Sequence, residues 1–467
     1  MAFNTAAFII FITVVLVLYY LLPARARTVF VLLASYAFFA RAQWRVLPFL
    51  VLFSLMVYLF GRLLGRWPRK WLLLPAVLCA AAPLIFLKYT KPGMSLVLPL
   101  GLSYFTFKSI GYLADVMKGK APAEKNPLTV MTFVAFFPEM LIGPIDRADN
   151  LMVQLKMPRP AFDWQLIEKG TLLFLGGCVR KMIIADRLGI WVDAVYADPL
   201  TYAGPFTVLA AVAYALQIYF DFSGCTHMAL GVGRMMGFDL PENFRQPYLA
   251  VSVADFWRRW HMSLTSWLKT YIYIPLGGSR RGRVRRDLNI LIVFLVSGIW
   301  HGAGLTFVVW GLLNGVFQLV GRSLNGLRQK LYGCLRLKTD GVLVRNWQRL
   351  WTFIWMTIAW VFFRASSVTH AGQIFSSMRH GWRQRDFLTR LPELGLSWAN
   401  IALLLVMLLV MLVVSLLNER QIYLADRVMT RAFPVRVLVF YLLIFGVLIF
   451  GIYGTAYDAA GFIYLQF

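Results

Sequence analysis

The chain has 467 residues, 60% of them hydrophobic and 16% aromatic, with a mean hydropathy of +0.66. That is more apolar surface than one water-soluble core can bury, so the chain takes lipid as its solvent. The formal charge of +26 does not indicate a nucleic-acid binder, because the basic residues fall in short clusters between apolar runs, where they act as topology signals and contacts to anionic lipid.

The first apolar run, Ala6 to Leu22, is long enough to cross a bilayer core, which needs about 20 such residues. A signal peptide is excluded by the absence of a basic segment before the run and by Arg25 and Arg27 after it. Thr28–Ala40 is shorter and reads as a tilted or partial span. Further spans are expected at Val46–Leu63, Trp71–Leu87, Leu128–Ile142, Thr171–Ile184, Phe206–Phe220, Leu288–Trp300, Leu305–Val320, Trp351–Phe363, Ile401–Leu417 and Val437–Ile452. The expectation is therefore an all-α polytopic membrane protein with about 10 to 12 crossings. The basic clusters at Arg25 and Arg27, at Arg62, Arg66, Arg69 and Lys70, and in the loop Arg280–Arg286 are placed on the cytoplasmic side, with the N-terminus outside.

Two stretches break the apolar pattern early. In Leu98–Lys118, Pro99 and Gly101 interrupt a run that then carries Lys108 and Asp115, and in Phe136–Arg147, Pro138, Gly143 and Pro144 interrupt a span holding Glu139. Irregular backbone at membrane depth is tolerated only against protein or a water-filled cavity, so both read as re-entrant cavity wall. From Asp221 to Arg286 hydrophobicity drops and aromatics alternate with charges. Within it Phe256, Trp260, Leu264, Trp267 and Tyr271 recur at helical spacing, which predicts one amphipathic helix over Asp255–Tyr273 with Arg258, Arg259 and Lys269 reaching toward phosphates.

The chain has five histidines. His301 ends an apolar run and opens WHGAG, and an ionisable group at that depth is a functional candidate, the alternative being a helix cap. A neutral imidazole, with an ordinary pKa of about 6.5, can take a proton as a general base must. His261 follows Trp260 in the amphipathic segment and reads equally as structural or catalytic. His370 and His380 read as solvated loop residues, and His227 stays open. Cys79, Cys178, Cys225 and Cys334 are far apart, so neither a metal site nor a disulfide framework is indicated. A nucleophile elbow, a P-loop, HExxH and a dinucleotide fingerprint are all missing, and the pieces Gly231-Val232-Gly233 and Gly302-Ala303-Gly304 read as small residues at helix contacts.

Several motifs run in order along the chain: PLGLSYFTFKSIGYLADV from Pro99, FFPEMLIGPIDR from Phe136, YFDFSG from Tyr219, GRMMGFDLPENFRQPY from Gly233, DFWRRWHMSLTSWLKTYIYIPLGGSRRG from Asp255, SGIWHGAGLTFVVWGLLNG from Ser297, WVFFRASSVTHA from Trp360 and the terminal FIYLQF. Together they resemble the membrane-bound O-acyltransferase family, in particular its bacterial branch serving alginate, cellulose or peptidoglycan O-acetylation. The resemblance implies a ring of transmembrane helices around a central tunnel in one membrane-embedded domain over 1–467, with N-terminal spans in 1–95, the histidine motifs in 96–320 and C-terminal spans in 321–467. It implies His301 at the centre with His261 nearby, and an acyl donor such as acetyl-CoA or another thioester, with no tightly bound cofactor. Arg258 and Arg259 would then meet the donor's phosphates.

It further implies a polysaccharide acceptor, a periplasmic partner transferase of the SGNH serine-hydrolase type, and a location in the bacterial inner membrane. Tyr464 is either an interfacial anchor or, by the resemblance, the phenol that holds the acyl group in transit. Transfer of D-alanine or another short acyl group from an acyl-carrier protein, and a transporter without chemistry, are the competing readings. The chain departs from the family pattern at Cys225-Thr226-His227, where an acidic residue is usual after the DFSG piece.

Overall fold

The computed structural model describes residues 2–89, 98–158, 161–382 and 386–453. Every named element among them is a helix, and the one isolated bridge joins Phe244 to Trp260. The expected spans appear as Ala6–Leu21, Leu47–Arg66, Lys70–Tyr89, Pro205–Met235, Gly282–His301, Leu305–Ser323, Val342–Arg364, Trp398–Glu419 and Phe433–Phe450. The short run after the first span extends to a full helix, Ala24–Gln43, because its basic first turn is helical too.

Six segments among the described residues are long and apolar enough to cross a membrane: Ala24–Arg66, Lys70–Tyr89, Pro205–Met235, Leu305–Ser323, Trp398–Glu419 and Phe433–Phe450. This is fewer than the ten to twelve crossings read from the sequence. Part of the difference is physical: Ala6–Leu21 is short, and Leu128–Ile142 is split by the turn at Phe136 into Pro127–Ala135 and Phe137–Met140, with Pro138 in the first turn of the second piece.

Contacts divide the chain into two compact units, Met1–Cys178 with Gly224–Glu242, and Val179–Ser223 with residues 243–453. In the first, the stretch after Leu98 is irregular only up to Gly101, which adopts φ +73° against the Met140 carbonyl. Beyond it Leu102–Met117 is a regular helix, contrary to the irregular wall expected there. Its Lys108 pairs with Glu139, both almost wholly buried, so the two polar motifs neutralise each other. Asp146 accepts from the Arg147 backbone and from Asn150 Nδ2, and burial, its largest influence, raises its pKa to about 6. Gly231 packs against the Gly170 backbone, where a Cβ would collide with the Gly170 carbonyl, so this GxG piece does serve helix contact.

In the second unit a π-helical stretch, Val179–Ala185, carries Lys181, which bridges Asp186 at 2.9 Å and Asp221 of the YFDFSG motif at 2.7 Å. Lys181 and Asp221 are buried, and Asp186 is half-buried with its side chain turned inward. The helices Gly282–His301 and Leu305–Ser323 form a hairpin in which backbones touch: a Cβ on Gly298 would strike the Phe307 carbonyl, and one on Gly311 the Phe294 carbonyl. Backbone cannot step aside as a side-chain tip can. Gly298→Val is therefore expected to destabilise the protein by about 1–3 kcal/mol, read as a lower unfolding temperature in detergent. Gly321→Ala on the same hairpin, where an added Cβ meets nothing, should leave that temperature equal or higher.

Candidate active site

The second unit holds both histidines that the sequence singles out. His301 is the last residue of its helix and only 4% exposed. Gly302 follows because a Cβ there would enter the Phe307 ring, and Phe307 in turn meets Phe363 edge-on at 5.1 Å. The imidazole is enclosed by Trp300, Trp310 and Phe363, with ring centroids at 4.6, 5.0 and 5.1 Å. Around it Trp257, Trp260, Trp310 and Trp360 from three segments pack in a chain at 5.0–5.7 Å. Asn314 ties this cluster together by accepting from Trp257 Nε1 and donating to the Trp310 carbonyl.

His261 is 1% exposed and sits at a helix break. The single amphipathic helix expected over Asp255–Tyr273 is instead three pieces, Val253–Arg259, Met262–Leu268 and the π-turn Lys269–Tyr273. Four of the five residues of the predicted apolar face, Phe256, Trp260, Leu264 and Trp267, are buried, and Tyr271 is half-buried. What periodicity could not register is the competing backbone partner. The PENFRQPY segment runs antiparallel to the helix end, with the Arg245 N–H donating to the Arg259 carbonyl and the Met262 N–H to the Asn243 carbonyl. These bonds replace helical ones and turn His261 into the left-handed region, at φ 42°.

Asn243 was not distinguished by the sequence, although its segment was marked by aromatics among charges. Its side-chain oxygen accepts from the Ser263 N–H at 3.2 Å and from the Ser263 hydroxyl at 2.6 Å, and it faces His261 Nδ1 at 3.4 Å. A backbone N–H can only donate, so the atom facing it must be the amide oxygen, and a neutral His261 then carries its proton on Nδ1. Nε2 is left as the basic atom. Trp300 faces both imidazoles, at 6.3 Å from His261 and 4.6 Å from His301. Two buried donors of this region, Asn243 Nδ2 and Trp310 Nε1, have no hydrogen-bond partner among the described residues.

The other named residues are placed apart from this cluster or have different roles. Arg259 is held by Asp255 and by both oxygens of Glu419, at 2.7 and 3.2 Å, while Arg258 is exposed. His370, expected in solvent, is half-buried: Ser366 contacts Nδ1 and the Tyr196 carbonyl lies 2.9 Å from Nε2. His380 is exposed. His227 is half-buried on Pro205–Met235, in the portion that belongs to the first unit. Tyr464 lies outside the described residues. Residues Arg283, Arg285 and Arg286 belong to the first turn of Gly282–His301 and not to a loop. Cys178 and Cys225 are buried, Cys79 and Cys334 exposed, and none is in a disulfide.

The model of the membrane-bound O-acyltransferase family matches residues 120–368, more than half the chain and a range that includes both histidine motifs. The chain belongs to that family. It is 34% identical over 466 residues to a probable alginate O-acetylase AlgI of Pseudomonas putida, covering 94% of this chain and 91% of that protein. It is 32% identical over 426 residues to a peptidoglycan O-acetyltransferase of Helicobacter pylori, covering 80% and 79%. A teichoic acid D-alanyltransferase of Bacillus subtilis is 28% identical over 244 residues, covering 49% and 60%. This membrane-bound O-acyltransferase is thus a multi-pass membrane enzyme of acyl transfer.

Burial holds His261 neutral, pushing its pKa down from 6.5 to about 3. Between those values the unfolded chain binds a proton that the folded one does not, so stability rises with pH through this window and is lost as pH falls from 6.5 toward 3. The unfolding temperature is expected to drop more between pH 7 and pH 5 in the wild type than in His261→Asn. Equal drops would show that His261 does not titrate on unfolding.

Proposed function

We propose that this protein carries acetyl groups from a cytoplasmic thioester, acetyl-CoA or a related donor, toward hydroxyls of an exported polysaccharide in the bacterial inner membrane. The observation that carries this reading is the pair of buried imidazoles that both meet Trp300, in a family of acyl transferases. In the proposed architecture the membrane helices ring a tunnel, so that a donor too polar for lipid reaches an acceptor outside. His301 serves as the general base or positions the acyl group in that tunnel. Arg258, exposed beside the pinned Arg259, is the better placed of the two to meet donor phosphates.

Acetyl is favoured over D-alanine by the relatives: the O-acetylases match over 80–94% of the chain, the D-alanyl enzymes over 49–62% at lower identity. D-alanine delivered by an acyl-carrier protein is the second reading on that same match. A serine-hydrolase-type partner in the periplasm would complete transfer to the polymer.

His301→Ala is expected to lower polymer acylation in cells by about 10²-fold or more, with unchanged membrane abundance. Acylation near the wild-type amount would remove His301 from the mechanism. Tyr464 is proposed as the phenol that carries the acyl group in transit, which splits one transfer into two easier steps. Tyr464→Phe keeps the ring and removes the nucleophile, so polymer acylation should vanish while abundance holds. Full activity in that variant would leave Tyr464 an anchor.

A further inference from the structure

Asn243 does more than shape a turn. Its amide oxygen is committed to Ser263 and His261, and this fixes its amide nitrogen as a separate donor. The residue is 1% exposed, and Nδ2 has no hydrogen-bond partner among the described residues. A buried amide donor without an acceptor is unfavourable by itself, so such groups in native proteins call for an explanation, a catalytic role among them. This one lies on the same carboxamide that touches the imidazole of His261, whose Nε2 is the basic atom. A base and a preorganised N–H donor are the two groups that acyl transfer requires, one for the proton and one for the oxygen, and here the donor's carboxamide meets the imidazole through its oxygen.

We propose that Asn243 is a catalytic residue of the acyl-transfer reaction, its Nδ2–H donating to the carbonyl oxygen of the acyl group as negative charge develops there. The inference rests on the acyl-transfer reading above. In the step, a hydroxyl oxygen forms a bond to the carbonyl carbon while its proton passes to the imidazole of His261, with His301 positioning the acyl group. The C=O π pair moves onto oxygen, where Asn243 Nδ2–H holds it. The pair then returns, the carbon–sulfur bond breaks, and the leaving thiolate takes the proton back from the imidazolium. No atom, charge or electron is left over. Because the charge exists only on the way over the barrier, the donor acts on kcat and not on binding.

The test is Asn243→Asp in the full-length protein in lipid nanodiscs, with acetyl-CoA and a soluble hydroxyl acceptor, beside wild type and Asn243→Ala. Aspartate keeps the oxygen that Ser263 and His261 use and removes the N–H donor. The expected result is a fall in kcat of about 10²- to 10³-fold in both variants, with KM for the thioester within about twofold. Rescue of kcat by aspartate would mean that Asn243 only orients His261, and would overturn the proposal. A second measurement needs no variant that folds: the carbonyl stretch of a ketone analogue of the thioester, methylene in place of sulfur, bound to wild type. A shift to lower frequency on binding is expected, and an unshifted band overturns the donor role. If wild type itself transfers no acyl group to any acceptor, the acyl-transfer reading fails and this inference falls with it, whereas an active wild type with an equally active Asn243→Asp sinks this inference alone.

Discussion

The antiparallel pairing of residues 243–245 with 259–262 is the constraint on which the rest of the site depends. Without it the segment from Asp255 would continue as one helix, and His261 would point where helical geometry sends it. Two backbone hydrogen bonds and the Asn243 amide oxygen take over from helical bonds at that point, and the residue they turn is the histidine. Left-handed backbone at a side chain other than glycine costs about 1–2 kcal/mol, and it persists because the surroundings over-determine it. The same amide oxygen also sets the tautomer, so backbone conformation and proton placement at His261 share one origin.

The aromatic enclosure has a complementary effect. Rings of tryptophan and phenylalanine around His301, and Phe222 meeting His261 edge-on at 4.8 Å, leave both imidazoles in surroundings of low dielectric. At His261 burial disfavours the charged imidazole, which keeps it unprotonated, and any hydrogen bond formed to developing charge in such surroundings is stronger than in water. The tryptophans are not interchangeable packing. Asn314 fixes Trp257 and the Trp310 backbone, and Trp300 meets both histidines.

Most apolar runs were legible as helices because lipid demands continuous apolar stretches, but their polar extensions were not, as where Phe206–Phe220 continues to Met235 and Trp351–Phe363 begins at Val342. His301 was conspicuous for a related reason: a titratable group at the end of an apolar run is costly, whereas His261, in the amphipathic segment, read equally as structural. Lys108 and Glu139 were each visible as misfits, yet their pairing was not, since it joins residues 31 apart through packing. The break at His261 escaped notice because Phe256, Trp260, Leu264 and Trp267 keep helical spacing on both sides of it. Asn243 escaped for a different reason. One asparagine in a polar loop carries no periodic signal, and only its tertiary partners reveal what it holds.

The buried lysine of the π-helical stretch has a consequence for how the chain enters the bilayer. Asp221 lies well inside the helix Pro205–Met235, and a carboxylate at the centre of a membrane helix is unfavourable by about 2.5–3.5 kcal/mol during insertion. Its partner, Lys181, is synthesised earlier and can already lean on Asp186, five residues further on. The earlier segment can therefore leave the translocon with Lys181 already paired, while the later helix is relieved only when it meets that lysine. Integration of the two segments is coupled in the order of synthesis: the 31-residue helix has a waiting counter-ion, and removing Lys181 would burden biogenesis before it touched chemistry.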